Sequence, residues 1–256
     1  MNFGYWYYRE YFDTINLDSK GIVTNFSTFN KGKNDKLIKG ATLPPYDNEN
    51  DIEDVTSFEL KTCYPGLLCG VGYHHEINKP ADEKGKKGKK VEGDKEDDAP
   101  EVYNLGMYFD YTSGLPVIPG SSIKGMLRSA IEEWDFLADY KPNNGVTREE
   151  IIKTVFEGEG LSIYDRDIFL DAIPIRVDNK LFGEDYITHH PTPLQNPNPV
   201  RFLRVNPGVT YQFRFILRNN DNGLKADFKE DLFKAIICTF GLGAKTNVGY
   251  GQFVEH

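Results

Sequence analysis

The hydrophobic pattern of this chain switches between steps of two and steps of three or four, and the order of the switches restricts the folds open to it. Thr56 to Tyr64 (TSFELKTCY) alternates through Phe58, Leu60 and Thr62, as a half-buried strand does, and Pro65-Gly66 ends it. Ile123, Met126, Leu127, Ala130, Ile131 and Trp134 then fall on one face of a helix, with Ser121 or Ser122 as the expected N-cap. Residues 167–176 (DIFLDAIPIR) and 209–217 (VTYQFRFIL) read as strands, the second alternating through Val209, Tyr211, Phe213, Phe215 and Leu217. A second helix is expected over about Phe228 to Phe240, with Asp227 and Glu230 as a capping pair. Its buried stripe would be Phe228, Leu232, Phe233, Ile236, Ile237 and Phe240, and Gly241 stands where a left-handed C-cap belongs. Tyr250 to Val254 forms a last short strand. Strand, helix, strand, strand, helix, strand is an α+β, ferredoxin-like βαββαβ order. It implies an antiparallel sheet with both helices on one face and the other face free to bind.

Two stretches interrupt that frame. Residues 79–98 hold seven lysines, seven acidic residues and three glycines, with Ala81 and Val91 as the apolar exceptions. Such a segment buries too little surface to offset its ordering entropy, so a solvated, mobile insertion is expected. Residues 177–199, rich in Pro, Asn and His, read as an excursion away from the sheet. Residues 1–55 are expected to be an N-terminal extension packing on the core or on a partner, with the folded domain over 56–256. The aromatic run Phe3, Tyr5, Trp6, Tyr7, Tyr8, Tyr11 and Phe12 would supply that packing, or would stack on bases.

Charge narrows the function classes. The net charge of −9 argues against a chain that seeks nucleic acid unaided, although a basic stripe can exist on an acidic body. Cys63, Cys69 and Cys238 have no framework spacing and fit a reducing cytoplasm. No apolar run approaches the roughly 20 residues of a membrane span, and Met1 to Arg9 lacks the features of a signal peptide.

Chemistry concentrates in two segments. In PGSSIKGMLR (119–128) a glycine and two serines, Gly120, Ser121 and Ser122, precede a helix, so backbone N–H groups converge where an anion could bind. Lys124 and Arg128 lie four apart on one helical face and could hold consecutive phosphates; an ordinary capped helix with two solvated cations is the alternative. In GLGAKTNVGYG (241–251), Gly241, Gly243, Gly249 and Gly251 let backbone approach a ligand closely. Lys245, Thr246 and Asn247 add polar groups, and Tyr250 could stack on a base. The alternative is a helix C-cap and a turn into an edge strand. A P-loop is excluded because Ala244 precedes Lys245 and the loop follows a helix; a dinucleotide fingerprint fails at Thr246. His74 and His75 near Cys63 and Cys69 lack zinc spacing, so no metal is expected. His75, His189 or His190 with Asp110 or Asp185 would be the acid–base candidates of a ribonuclease.

The same two segments resemble the helix start and the C-terminal glycine-rich loop of the RAMP (repeat-associated mysterious protein) superfamily. TCYPGLL (62–68), FLDAIP (169–174) and DYITHHPTP (185–193) are similar to its type III-B (Cmr) members. The likeness runs from about Thr56 to the C-terminus. It implies a cytoplasmic, antiviral CRISPR ribonucleoprotein subunit that binds guide RNA near its 3′ end, with target RNA and other RAMP subunits of the Cmr complex as partners. The helix start and the glycine loop would grip the guide backbone. The 177–199 excursion, with His189 and His190, would take the place of the family's protruding element. Neither catalysis nor a cofactor is implied for this subunit; a stand-alone RAMP endoribonuclease processing precursor guide RNA is the alternative.

Overall fold

The computed structural model describes residues 1–25, 28–30, 32–46, 54–70, 72–75, 102–140, 145–189, 198–220 and 223–255. In chain order the helices are α1 (Phe3–Tyr8), α2 (Lys33–Gly40), α3 (Gly120–Glu132), α4 (Phe136–Tyr140), α5 (Arg148–Ile151) and α6 (Ala226–Phe240). The strands are β1 (Thr56–Thr62), β2 (Ile168–Phe169), β3 (Ile173–Val177), β4 (Phe182–His189), β5 (Asn198–Val205), β6 (Val209–Ile216) and β7 (Phe253–Val254). Contacts group into two compact units. One comprises Met1–Thr42, Gly70–Leu115 and Phe182–Arg204; the other comprises Leu43–Cys69, Pro116–Leu181 and Val205–His256. These groupings cut across the linear boundary at residue 55. The expected mobile insertion, 79–98, lies outside the described residues.

The second unit is built on an antiparallel sheet in the order β2-β6-β1-β7, with β3 also paired to β6. Phe58 lies opposite Phe213 and Leu60 opposite Tyr211, so the alternation of both strands puts their large rings on one face. Ile123, Leu127 and Ile131 of α3 and Leu232, Phe233, Ile236 and Ile237 of α6 are buried. Burying each such side chain is worth roughly 1.5–3 kcal/mol. Met126 is half-buried, and Trp134, expected in the α3 stripe, is 68% exposed because the helix ends at Glu132. The opposite sheet face is not left free along β6. Thr210 and Gln212 are buried there, and the Tyr46 hydroxyl donates to Gln212 Oε1.

The strand expected over 167–176 is broken in two. Between β2 and β3 the backbone turns from β6 to exchange hydrogen bonds with Ile118: Ala172 N–H to Ile118 O at 2.9 Å, and Ile118 N–H to Ala172 O at 3.0 Å. The break places Asp171 at the first turn of α3. Its Oδ1 accepts from Gly120 N–H at 2.8 Å, so the cap comes from a residue far along the chain. Ser121 and Ser122 do not cap; Pro119 holds the N-cap position without a side-chain bond. Asp227 and Glu230 likewise do not cap α6, where Ala226 N–H donates to Asn219 Oδ1 at 2.9 Å.

The first unit holds the whole N-terminal aromatic run. Asn2 Oδ1 caps α1 by accepting from Tyr5 N–H at 2.7 Å. Phe3, Trp6, Tyr7 and Tyr11 are buried, with Phe3 meeting the Phe182 ring, Tyr7 those of Tyr103 and Phe109, and Tyr11 those of Trp6 and Tyr103. The 177–199 stretch is more regular than expected. From Phe182 the chain forms β4, which pairs with β5 as a two-stranded sheet.

Candidate nucleic-acid interface

The start of α3 is shaped for packing. A Cβ added at Gly120 would stand 2.0 Å from the Phe169 carbonyl oxygen, so the glycine lets the helix touch the chain at β2. The expected anion site is already served by the Asp171 carboxylate, and Ser122 N–H is spent on Pro119 O at 2.9 Å. Ser121 is exposed and Ser122 half-buried. The two cations on the helix differ in availability. Arg128 donates through Nε to Glu132 and through Nη2 to Glu157, each at 2.8 Å. Lys124 Nζ lies 5.7 Å from the centroid of the Phe169 ring and has no ion pair among the described residues. Exposed ion pairs such as those of Arg128 contribute little to stability, so a phosphate can exchange for either carboxylate.

The glycine-rich loop is both a C-cap and a shaped platform. Gly241 ends α6 with φ +73° and donates to Ile237 O at 2.9 Å. Leu242 N–H donates to Gly251 O at 2.9 Å, Gly251 N–H to Gly66 O at 2.7 Å, and Ala244 N–H to Leu68 O at 3.0 Å. The loop is thus laced to the segment after β1. At Gly243 (φ +94°) a Cβ would come within 2.5 Å of Leu68 O, and at Gly251 (φ +71°) within 1.8 Å of Leu242 O. Between them Lys245 sits in left-handed geometry at φ +62° and opens a 3-10 turn, Thr246–Val248. Asn247 is exposed; Lys245 and Thr246 are half-buried.

Tyr250 is only 7% exposed, so it is a core residue and not the stacking surface its sequence position suggested. The exposed ring near this loop is Tyr64, 84% exposed, next to Pro65, which lies 3.6 Å from a Cβ built on Gly249. Tyr64 was readable only as the residue before a Pro-Gly turn. Alternation would have hidden its ring with Thr62, but the strand stops at Thr62.

The histidines separate as well. His75 is buried, its Nε2 3.1 Å from Tyr7 O, with the rings of Tyr7 and Tyr11 each 4.2 Å away between centroids. Burial pulls its pKa down to about 3, against the opposing hydrogen bond to the Tyr7 carbonyl. It is a neutral core residue, which removes it from the acid–base candidates. Asp110 Oδ2 accepts from both the backbone N–H and the hydroxyl of Ser113, each at 2.6 Å. Asp185 lies 3.6 Å from Arg204 Nε. His189 closes β4, and its side chain, like His190, lies outside the described residues. Among the described residues no three His, Cys, Asp or Glu side chains converge as a metal would require, and no helix is long and apolar enough to cross a membrane.

The RAMP superfamily profile matches residues 59–254, which takes in the sheet, α3, α6 and the glycine loop. The chain belongs to the RAMP superfamily. It is similar to the CRISPR system CMR subunit Cmr6 of Saccharolobus solfataricus, with 32% identity over 157 residues, 59% of this chain and 49% of that protein. The chain therefore spans about half the length of this curated relative. Among solved structures it is similar to a chain in the cryo-EM structure of the type III-B Cmr-beta complex bound to cognate target RNA. There the TM-score is 0.52 at 27% identity, covering 78% of this chain and 57% of that one. The crystal structure of Cmr6 from Pyrococcus furiosus aligns with a TM-score of 0.42 at 19% identity, over 80% of this chain and all of that one.

Proposed function

We propose that this chain is a guide-RNA-binding structural subunit of a type III-B CRISPR RNA-targeting complex, placed near the 3′ end of the guide. The reading is carried by one observation: a RAMP domain, similar to Cmr6, whose glycine loop holds Lys245 in left-handed geometry and approaches Pro65, next to the exposed Tyr64, at Gly249. In this reading residues 56–256 form a ferredoxin-like domain, and β2 with β3 counts as one interrupted strand. The sheet order and the two helices favour that reading. Lys124, Arg128 and Lys245 take phosphates, and Tyr64 stacks on a base. The Gly120 and Ser122 amides serve the fold. The subunit binds and positions RNA without cutting it, in the cytoplasm, against other RAMP subunits.

The test is co-purification of the tagged chain with its neighbours, followed by sequencing of the bound small RNA. Guide RNA with a repeat-derived tag, depleted in a Lys124→Ala/Lys245→Ala variant, supports the reading. Guide loading that is unchanged when this subunit is deleted overturns it.

A further inference from the structure

The first unit carries a cavity of about 400 Å³ that lies outside both glycine motifs. That volume falls in the roughly 300–1,000 Å³ range of ligand pockets. Tyr5, Tyr8 and Arg9 at α1 form one wall, and Phe109, Asp110 and Tyr111 the other. Because α1 turns Phe3, Trp6 and Tyr7 into the core, helical spacing leaves Tyr5 and Arg9 facing outward. The Tyr8 hydroxyl donates to Met107 O, and the Phe109 ring, 4% exposed, meets the Tyr8 ring edge-on at 5.8 Å. The base of the cavity is therefore rigid.

Its rim is different. Tyr5 is 59% exposed and Tyr111 is 98% exposed. Arg9 is exposed and has no ion pair among the described residues. Burial pushes the Asp110 carboxyl up, but hydrogen bonds from Ser113 and its neighbours outweigh that and keep it ionised below the usual range.

We propose that this cavity is a subsite for one unstacked base of single-stranded RNA. Tyr5 and Tyr111 offer ring faces for stacking, Arg9 a cation for the adjoining phosphate, and Asp110 an acceptor for the base's N–H edge. A ring face, an anion and a polar edge in one ligand describe a nucleotide. An apolar protein side chain would leave the Arg9 cation at the mouth unanswered. The inference rests on the RNA-binding reading above and extends it to the N-terminal segment, outside the superfamily match.

The experiment titrates the full chain with single-stranded oligoribonucleotides carrying 2-aminopurine at successive positions, and maps 4-thiouridine cross-links by mass spectrometry. The expected result is fluorescence quenching at one register and a cross-link to Tyr5 or Tyr111. Tyr5→Ala and Tyr111→Ala weaken binding about five- to a hundred-fold and abolish the quench. Tyr111→Phe keeps the quench, and Arg9→Gln flattens the salt dependence. Both tyrosines are exposed, so unchanged thermal melting accompanies these losses. Cross-links confined to 120–128 and 241–251, with wild-type quenching in the alanine variants, overturn the subsite and leave the RNA-binding reading standing. Absence of any RNA bound by the wild-type chain, both alone and in its co-purified complex, overturns both.

Discussion

Lys229 Nζ lies 2.6 Å from Asp167 Oδ2, with the two side chains 1% and 2% exposed. The ammonium also donates to Arg218 O at 2.7 Å and to Asn220 Oδ1 at 3.0 Å, while Asp167 Oδ1 accepts from Arg218 N–H at 2.7 Å. The pair fastens α6 to the end of β6 and to the start of β2. Burial holds the lysine below its usual range, against the pull of Asp167.

Removing one partner leaves an uncompensated buried charge. Lys229→Met is therefore expected to cost about 3–5 kcal/mol in chemical denaturation, and Asp167→Asn somewhat less because the amide can still accept one bond. Replacing both residues with apolar ones should recover much of the loss, so a double-mutant cycle checks the assignment.

His75 gives unit one an acid sensitivity. Its folded pKa, about 3, lies below the unfolded value near 6.5, so the unfolded state binds the extra proton. Stability is full above pH 6.5 and falls as pH drops toward 3, by on the order of 3–5 kcal/mol across that window. In His75→Phe, melting between pH 7 and 4 should lose most of this slope; a slope equal to wild type would contradict the buried neutral ring.

Arg128 is held by two carboxylates, and releasing it should strengthen RNA binding. Glu157→Gln is expected to tighten a single-stranded RNA complex a few-fold and steepen its salt slope. Arg128→Ala should weaken binding across sequences and lower that slope by about 0.7, as the loss of one phosphate contact does. Equal slopes in all three proteins would remove Arg128 from the interface.

The glycines of the loop are not equivalent. Gly243→Ala adds a clash with Leu68 O at 2.5 Å to its positive-φ strain, whereas Gly249→Ala has the strain alone, with its nearest neighbour at 3.6 Å. Both should destabilise, by about 1–3 kcal/mol for the strain, and Gly243→Ala should cost more. Thermal melting of the two variants decides the order.

What the sequence revealed follows from the range of the physics involved. The α3 and α6 stripes and the alternation of β1 and β6 were legible because periodicity is local. The α3 cap escaped the local pattern because its partner is remote, Asp171 serving Gly120 from 51 positions away, and the buried Lys229–Asp167 pair likewise joins residues 62 apart. β5 was missed because Arg201 and Arg204 break its apolar pattern; both carry ion pairs within the unit, with Glu184 and Asp185. The exposures of Tyr64 and Tyr250 were not legible for a similar reason, since exposure at a loop depends on which backbone laces over it.

The Asp171 carboxylate at the first turn of α3 has a consequence for selectivity. A tethered anion competes at an effective concentration of about millimolar, so a free phosphate ion arriving alone is outbid. The start of α3 is thus closed to small anions by the protein's own carboxylate, and inorganic phosphate meets no open Gly120 amide there.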